Sequence, residues 1–258
     1  MDLEERIRLA CGDTKELARV LHDRSQEVLL ALLDNPGLSE DQVLILLSRR
    51  DLPQQVIRRL AGREDLLRGY RVKLAVVRHP HSPRSLSLPL LRHLYLADLM
   101  KVVATPGVPA DLRRVAEDAV TGRAPTLSLG ERIAMARQGA GRIAGTLLLD
   151  KEKQVFETAL NNPRLTEELV LKALAQENIS AEAVEKTATH PRWAVVYSVR
   201  LALLRHPLTS LGRVLSISEQ VKKRDLQEIV HDPRMPANRR DYLAKLASSQ
   251  WRPRAPEP

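Results

Sequence analysis

Apolar residues recur along the chain at intervals of three and four, in short segments separated by polar residues and prolines. After Ser39, the stretch 43–47 places valine and leucine at the spacing of an amphipathic helix. Ser39 and Gln42 have the spacing of a capping box at the start of that helix. No segment alternates apolar and polar residues over the length of a strand, and no Asn-Gly hairpin turn occurs. The pattern predicts an all-α protein.

Prolines separate the predicted helices. In the stretch 160–168, Pro163 cannot continue the helix before it, and Thr166 is placed to cap the helix after it. The acidic residues 167–168 then lie at the positive end of that helix. Applied to the whole chain, the same criteria predict helices over 4–11, 14–22, 26–34, 39–49, 53–62, 67–78, 84–95, 97–104, 110–121, 131–138, 140–149, 152–161, 166–176, 180–189, 194–205, 211–221, 223–231 and 237–248.

The sequence repeats itself at an offset of 127 residues. Residues 24–123 align with 151–250 without a gap, and 25 of these 100 pairs are identical. The identities cluster, so that Tyr-x-Val-x-Leu-Ala-x-x-Arg-His-Pro occurs at both 70–80 and 197–207. We therefore predict two tandem helical units of about 125 residues each, stacked as one right-handed, HEAT-like α-solenoid. Their predicted limits are 1–123 for unit 1, 124–130 for a junction, 131–250 for unit 2 and 251–258 for a disordered tail.

The turns carry a resemblance to a known family. Asn-Pro-Arg-Leu-Thr at 162–166 and His-Pro-His-Ser-Pro at 79–83 resemble the turns of bacterial leucine-rich repeat variant proteins and, more loosely, those of HEAT-like repeats. This resemblance implies a right-handed helical solenoid that serves as a binding or scaffolding surface. The cysteine-rich cluster found at the start of some members is absent, so the resemblance implies no iron–sulfur centre.

Net charge, cysteine content and the length of apolar runs indicate which classes of partner and which cellular compartment to expect. Residues 1–127 hold 20 basic and 17 acidic residues, for a net charge of +3, and residues 128–258 hold 21 and 15, for +6. Such a modest, dispersed excess permits contact with nucleic acid but also occurs on ordinary proteins. Cys11 is the only cysteine, the start is acidic, and no apolar run reaches 18 residues. We therefore expect a cytoplasmic protein without disulfides and without a membrane span.

Two cation-bearing patterns occur in both copies. Tyr70 with Lys73, and Tyr197 with Arg200, share a helix face and either form a repeated binding position or pack the ring while the cation reaches water. Arg-His-Pro at 78–80 and 205–207 either holds phosphate or carboxylate through Arg78 and Arg205, or ends a helix. We favour the structural interpretation of both patterns.

Other candidates differ between the copies. Trp193 is aligned with Leu66 and either anchors an interface or fills a gap between helices. Lys222, Lys223 and Arg224 form the largest of several basic clusters, which either line a groove for a phosphate backbone or lie on a solvated helix face. The smaller clusters lie at 49–50, 58–59, 113–114 and 239–240.

We find no sequence signature of an enzyme. The histidines at 79, 81 and 93 lack matching carboxylates, so we predict no metal and no cofactor. The glycines at 139, 141 and 145 miss the dinucleotide spacing and indicate close helix packing, and Asp98 and Asp225 are expected to cap short helices. The sequence thus predicts a non-enzymatic scaffold whose concave face binds a macromolecule, most simply a protein. The alternative is a nucleic-acid-binding protein with a basic groove, similar to the HEAT-like DNA glycosylases.

Overall fold

The computed structural model describes residues 2–232 and 237–248, and within these ranges all regular secondary structure is helical. This confirms the predicted all-α class. The chain divides into two compact units, Met1–Arg123 and Ala124–Pro258. The stretch 251–258, predicted to be a disordered tail, lies outside the described residues. None of the described helices has the length and apolar character needed to cross a bilayer.

The first unit contains ten described helices. They are α1 (Leu3–Ala10), α2 (Thr14–Val20), α3 (Gln26–Asp34), α4 (Glu40–Ser48), α5 (Gln54–Ala61), α6 (Glu64–Leu67), α7 (Tyr70–Arg78), α8 (Arg84–Leu91), α9 (Leu96–Ala104) and α10 (Ala110–Arg123).

The second unit contains nine described α-helices, preceded by a 3₁₀ turn at Ala124–Thr126. They are α11 (Leu129–Gln138), α12 (Gly141–Leu147), α13 (Lys153–Leu160), α14 (Glu167–Leu174), α15 (Ala181–Thr189), α16 (Tyr197–Arg205), α17 (Leu211–Ser218), α18 (Lys223–Val230) and α19 (Ala237–Ser248).

Within each unit, many helices pack in layers of helices that are not consecutive in the chain. In the first unit α1, α3 and α5 contact one another in succession, and we call them the first layer; α4, α7 and α9 form the second layer. In the second unit the first layer contains α11, α13 and α15, and the second layer contains α12, α14, α16 and α18. Consecutive helices such as α11 and α12, or α15 and α16, connect the layers of the second unit.

Burial of one apolar stripe holds each short helix in place. In α3 the buried positions are 28, 29, 32 and 33, and in α13 they are the equivalent positions 155, 156, 159 and 160. Helices of eight or nine residues are not stable alone in water. Each fully buried leucine or phenylalanine contributes roughly 1.5–3 kcal/mol, so packing between the layers stabilises these helices.

Several helix ends differ from the prediction. The predicted helix 67–78 is divided, because the chain turns at Gly69 between α6 and α7. The helix predicted over 84–95 ends at Leu91, two residues after Pro89, whose ring nitrogen cannot donate a hydrogen bond. Thr166 is the N-cap residue of α14, but its side chain makes no capping hydrogen bond. The capping box of Ser39 and Gln42 is confirmed.

The glycines of α12 allow it to approach α14 closely, as predicted. A Cβ atom added to Gly141 would lie 2.1 Å from the carbonyl oxygen of Arg164. A Cβ atom on Gly145 would lie 3.2 Å from Cβ of Leu169. The side-chain-free surface of α12 therefore sets the distance between these two helices.

Candidate functional site

Buried asparagines before proline connect neighbouring turns within each unit. Asn35 donates from Nδ2 to the carbonyl oxygens of Ala10 and Gly12, both at 2.9 Å, and its Oδ1 accepts from the backbone N–H of Gly37 at 2.8 Å. Asn162 makes the same kinds of contact, to two carbonyl groups at the end of α11 and to the N–H two residues later. These side chains satisfy the carbonyl groups that a helix leaves free at its end.

Histidine takes the place of asparagine before three other prolines. His79 donates from Nε2 to the carbonyl oxygen of Arg49 at 2.7 Å, and its Nδ1 accepts from the N–H of His81 at 3.2 Å. The Nδ1 atoms of His190 and His206 likewise accept from the N–H two residues later. Burial lowers the pKa of all three imidazoles, so that each favours the neutral form that these contacts require.

The repeated Arg-His-Pro pattern ends a helix in each unit, as the structural interpretation predicts, because α7 ends at Arg78 and α16 ends at Arg205. The two arginine side chains, however, contact residues beyond their own helices rather than the carbonyl groups at the helix ends. The Arg78 Nε donates to Oγ1 of Thr105 at 3.3 Å, and the Arg205 Nε lies 3.7 Å from Oδ2 of Asp232. Thr105 and Asp232 each follow the next helix of the second layer. Each arginine therefore connects successive helices of the second layer in its own unit.

Tyr70 joins α7 to the start of α9. Its hydroxyl donates to Oδ2 of Asp98 at 2.7 Å and accepts from the backbone N–H of Tyr95 at 3.0 Å. The Tyr70 and Tyr95 rings lie 4.6 Å apart between centroids. Burial, followed by the carboxylate of Asp98, raises the pKa of Tyr70, whereas the hydrogen bond from Tyr70 lowers the pKa of Asp98.

Tyr197 makes the equivalent contacts in the second unit. Its hydroxyl donates to Asp225 and accepts from the backbone N–H of Lys222. The prediction that Asp98 and Asp225 cap their helices is wrong, because α9 and α18 begin two residues before these aspartates and both carboxylates accept from a tyrosine instead.

The cations next to these tyrosines make no hydrogen bond to the tyrosine hydroxyls in the described residues. Lys73 is half-buried, and the described residues give its ammonium group no hydrogen-bond or ion-pair partner. Arg200 donates from Nε to the carbonyl oxygen of Ala194 at 2.7 Å, within its own turn. The two members of the repeated Tyr–cation pattern thus have different contacts.

Trp193 lies inside the second unit, with only 2% of its surface exposed. Its Nε1 donates to the carbonyl oxygen of Leu160 at 2.9 Å, and the guanidinium of Arg192 lies 4.3 Å from the ring centroid. Its position matches the second interpretation, a side chain that fills a wide gap between helices.

The cluster Lys222–Arg224 is exposed at the start of α18. The Lys222 ammonium lies 5.9 Å from the centroid of the Tyr197 ring, and Arg224 forms an exposed pair with Glu228. Lys223 lies between them on the same exposed turn.

The smaller basic clusters each contain an arginine that makes an intramolecular contact. Arg49 donates to the carbonyl oxygens of Leu21 and Asp23, and Arg239 donates to those of His206 and Pro207. Arg59 pairs with an aspartate, and Arg113 donates to a carbonyl group at the start of α10. In the first unit Arg50 follows a second-layer helix, whereas the 58–59 cluster belongs to the first layer. These clusters do not share one layer.

The histidines at 79 and 81 are bound to backbone carbonyl groups. His81 Nδ1 contacts the carbonyl oxygen of Leu52 at 2.9 Å, as His79 contacts that of Arg49. The described part of the chain contains no group of three His, Cys, Asp or Glu side chains placed to bind a metal ion.

A groove lies on the second layer of the first unit, between α4, α7 and the turn after α9. Its volume is about 470 Å³, within the range of ligand-binding clefts. Leucines and Ala75 supply its apolar surface, and three arginines supply its charge. The lining residues are Leu44, Leu47, Ser48, Arg50, Tyr70, Arg71, Leu74, Ala75, Arg78, His79, Pro80 and Thr105.

The equivalent positions of the second unit have the opposite charge. At an offset of 127 the apolar positions are again leucine and alanine, but Arg50 becomes Glu177, Arg71 becomes Ser198 and Thr105 becomes Asp232. The twelve groove positions therefore sum to +3 in the first unit, from three arginines, and to −1 in the second, from one arginine, one glutamate and one aspartate. This contrast is not apparent from the sequence alone, because the charged positions are scattered along the chain.

Comparisons with protein-family models, with curated proteins and with solved structures found no match to this chain.

Proposed function

We propose that this chain is a non-enzymatic binding or scaffold protein, built as a right-handed α-solenoid from a duplicated helical unit, and that its second-layer helices bind a protein partner. A cytoplasmic location and the absence of a cofactor are part of this proposal. The observation that carries it is the groove on α4 and α7. Most residues repeated between the copies make internal contacts, so they hold the fold together and are not directed at a partner.

Three sets of contacts support the duplication. Arg6 pairs with Asp23 in the first unit, and Arg132 pairs with Asp150 in the second. The Tyr–Asp contacts and the Asn-Pro turns also recur at an offset of 127. The successive contacts within each layer support the solenoid, in which each repeat packs mainly on its neighbours.

The internal roles of the repeated polar residues support a binding role rather than catalysis. A catalytic group needs a polar side chain directed at substrate. Here Tyr70, His79 and Asn35 each direct their polar atoms at a backbone group or a neighbouring side chain. The exposed positions that differ between the copies are free to set the choice of partner.

Affinity capture with the full chain tests this proposal, using one exposed apolar residue of the second layer and one outside it as matched variants. Ile45 on α4 is 42% exposed and Val115 on α10 is 40% exposed. We expect the wild type and Val115→Asp to retain one protein in near-equal molar amount from a lysate of the source cells, and Ile45→Asp to lose it. Binding by the second layer would be contradicted if neither the wild type nor Val115→Asp retained the partner. Loss of the partner in Val115→Asp alone would contradict it as well.

The alternative function is nucleic-acid binding through the basic clusters. The exposed, weakly paired cluster Lys222–Arg224 supports it. The division of Arg50 and Arg58–Arg59 between layers favours the protein partner instead. A titration with duplex and single-stranded DNA distinguishes them, because phosphate-driven binding strengthens as salt is lowered and is readily measured at about 50 mM. The alternative predicts affinity there that falls steeply as salt is added, and absence of binding at low salt would rule it out.

A further inference from the structure

We infer that the groove on α4 and α7 of the first unit is the site of recognition, and that it binds an acidic, amphipathic peptide segment of a partner protein. This inference rests on the proposed function and names the chemistry of the partner.

The floor of the groove suits apolar side chains. Leu44, Leu74 and Ala75 are half-buried, so each still exposes apolar surface, and the neighbouring Ile45 is 42% exposed. Tyr95 extends this surface, since the residue is 69% exposed and its ring contacts that of Tyr70, which lines the groove. An amphipathic helix buries leucine-like side chains on such a surface.

The rim suits carboxylates. Arg50, Arg71 and Arg78 line the groove, all three are exposed, and no acidic residue lines it. Arg71 also pairs with Asp41 at its outer edge, but both side chains are more than two-thirds exposed, so this pair is weak. Arginine binds carboxylates in a bidentate manner, which fixes the orientation of a peptide.

The second unit supplies an internal comparison. It keeps the leucines and the tyrosine at the matched positions but has Glu177 and Ser198 where the first unit has Arg50 and Arg71, and Lys222 where it has Tyr95. The contact between the tyrosine and the aspartate does not require Arg50 or Arg71, because the second unit makes the same contact without an arginine at either position. Their presence in the first unit therefore points to a ligand with negative charge.

A peptide fits these observations better than a nucleic acid. The groove floor is formed mainly by leucines and Ala75, and Tyr70 with the adjoining Tyr95 supplies one pair of aromatic rings rather than a row of them. Single-stranded nucleic acid is bound mainly by stacking on several aromatic rings along a basic channel.

Fluorescence anisotropy with the full chain tests the inference. The probe is a labelled helical peptide with leucines on one face and glutamates on the other, and its controls carry glutamine or lysine in place of glutamate. A labelled single-stranded oligonucleotide is titrated in parallel. We expect the glutamate peptide to bind most tightly, and its affinity to fall as salt is added.

The decisive variant carries, at two groove positions of the first unit, the residues found at the matched positions of the second unit. Arg50→Glu with Arg71→Ser should weaken binding by about tenfold or more, since like charges across an interface repel. Arg58→Glu with Arg114→Ser makes the same change in net charge at exposed positions outside the groove and should leave the affinity unchanged. Circular dichroism establishes that both variants fold, and Arg71→Ser alone serves if the double variant melts early.

Three results would overturn the inference: no binding of the glutamate peptide by the wild type, equal binding of the glutamine peptide, or equal losses in both double variants. Tighter binding of the oligonucleotide, lost in Arg50→Glu with Arg71→Ser, would assign the groove to nucleic acid instead. If the peptide fails while affinity capture still yields a partner sensitive to Ile45→Asp, only the acidic-peptide inference falls and the proposed function stands.

Discussion

The imidazole of His79 donates a 2.7 Å hydrogen bond from Nε2 to the carbonyl oxygen of Arg49, 30 residues earlier in the chain. Because a carbonyl oxygen only accepts, Nε2 carries the proton and Nδ1 is left to accept from the N–H of His81. The neutral ring therefore joins two turns of the first unit. A second proton on Nδ1 would remove one of these bonds and place a charge in a side chain that is only 3% exposed.

This relationship predicts that acid destabilises the protein. Burial lowers the folded-state pKa of His79 below the ordinary value of 6.5, so the unfolded chain binds more protons between the two pKa values. The contribution to stability is complete above the unfolded-state pKa and is lost as the pH falls through 6.5 towards the folded-state pKa. We expect urea denaturation to give a lower free energy of unfolding at pH 5 than at pH 7. His79→Asn, which keeps a side chain able to donate and accept, should reduce the difference; an unchanged difference would contradict this role.

Asn162 and its neighbour Asn161 give a matched test of the Asn-Pro turn. Asn162 is 2% exposed and binds carbonyl groups of another helix end, whereas Asn161 is exposed, donates within its own helix and makes one exposed contact, 3.2 Å from Oδ1 to Nε2 of His190. Asn162→Ala leaves buried carbonyl groups unsatisfied and should lower the free energy of unfolding by about 1–3 kcal/mol. Asn161→Ala should change it by less than about 0.5 kcal/mol. Equal losses in denaturant titrations would show that the buried contacts are not the cause.

The helical class, the Ser39–Gln42 capping box and the close approach at Gly141 follow from local sequence. Each depends on residues a few positions apart or on the absence of a side chain. The divided helix at Gly69 did not follow, because the apolar pattern continues across the break.

The contacts of the candidate site were harder to predict. Asp98 and Tyr70 are 28 residues apart, and His79 and Arg49 are 30 apart. Such contacts depend on the register between stacked helices, which the periodicity of a single helix does not contain. The local pattern around Asp98 therefore indicates a cap, not a contact with Tyr70. Predicting the groove requires the same register between helices, since its residues come from three separated segments of the chain.

Removing the hydroxyl of Tyr70 should uncouple α7 from α9. Tyr70→Phe keeps the ring but removes the bonds to the Asp98 carboxylate and the Tyr95 N–H, and should cost about 1–3 kcal/mol of unfolding free energy. The pKa of Asp98 should rise towards its ordinary value in an NMR titration, since the hydrogen bond from Tyr70 is the main cause that lowers it. Tyr95→Phe is the control, because its ring is 69% exposed. A stable Tyr70→Phe protein with an unchanged Asp98 pKa would rule out this coupling.

Gly141 sets how closely the start of α12 approaches the turn before α14. An alanine Cβ at this position would lie 2.1 Å from the carbonyl oxygen of Arg164, a contact with backbone that a rotamer change cannot relieve. Gly141→Ala should therefore destabilise the second unit by about 1–3 kcal/mol, despite the better helix propensity of alanine. Gly130 in α11 has nothing within 4 Å of its added Cβ, so Gly130→Ala should be neutral or stabilise by up to about 1 kcal/mol. Opposite signs for the two variants in thermal and urea denaturation are the expected result. Stabilisation by both would mean that the α12–α14 distance does not depend on the missing side chain.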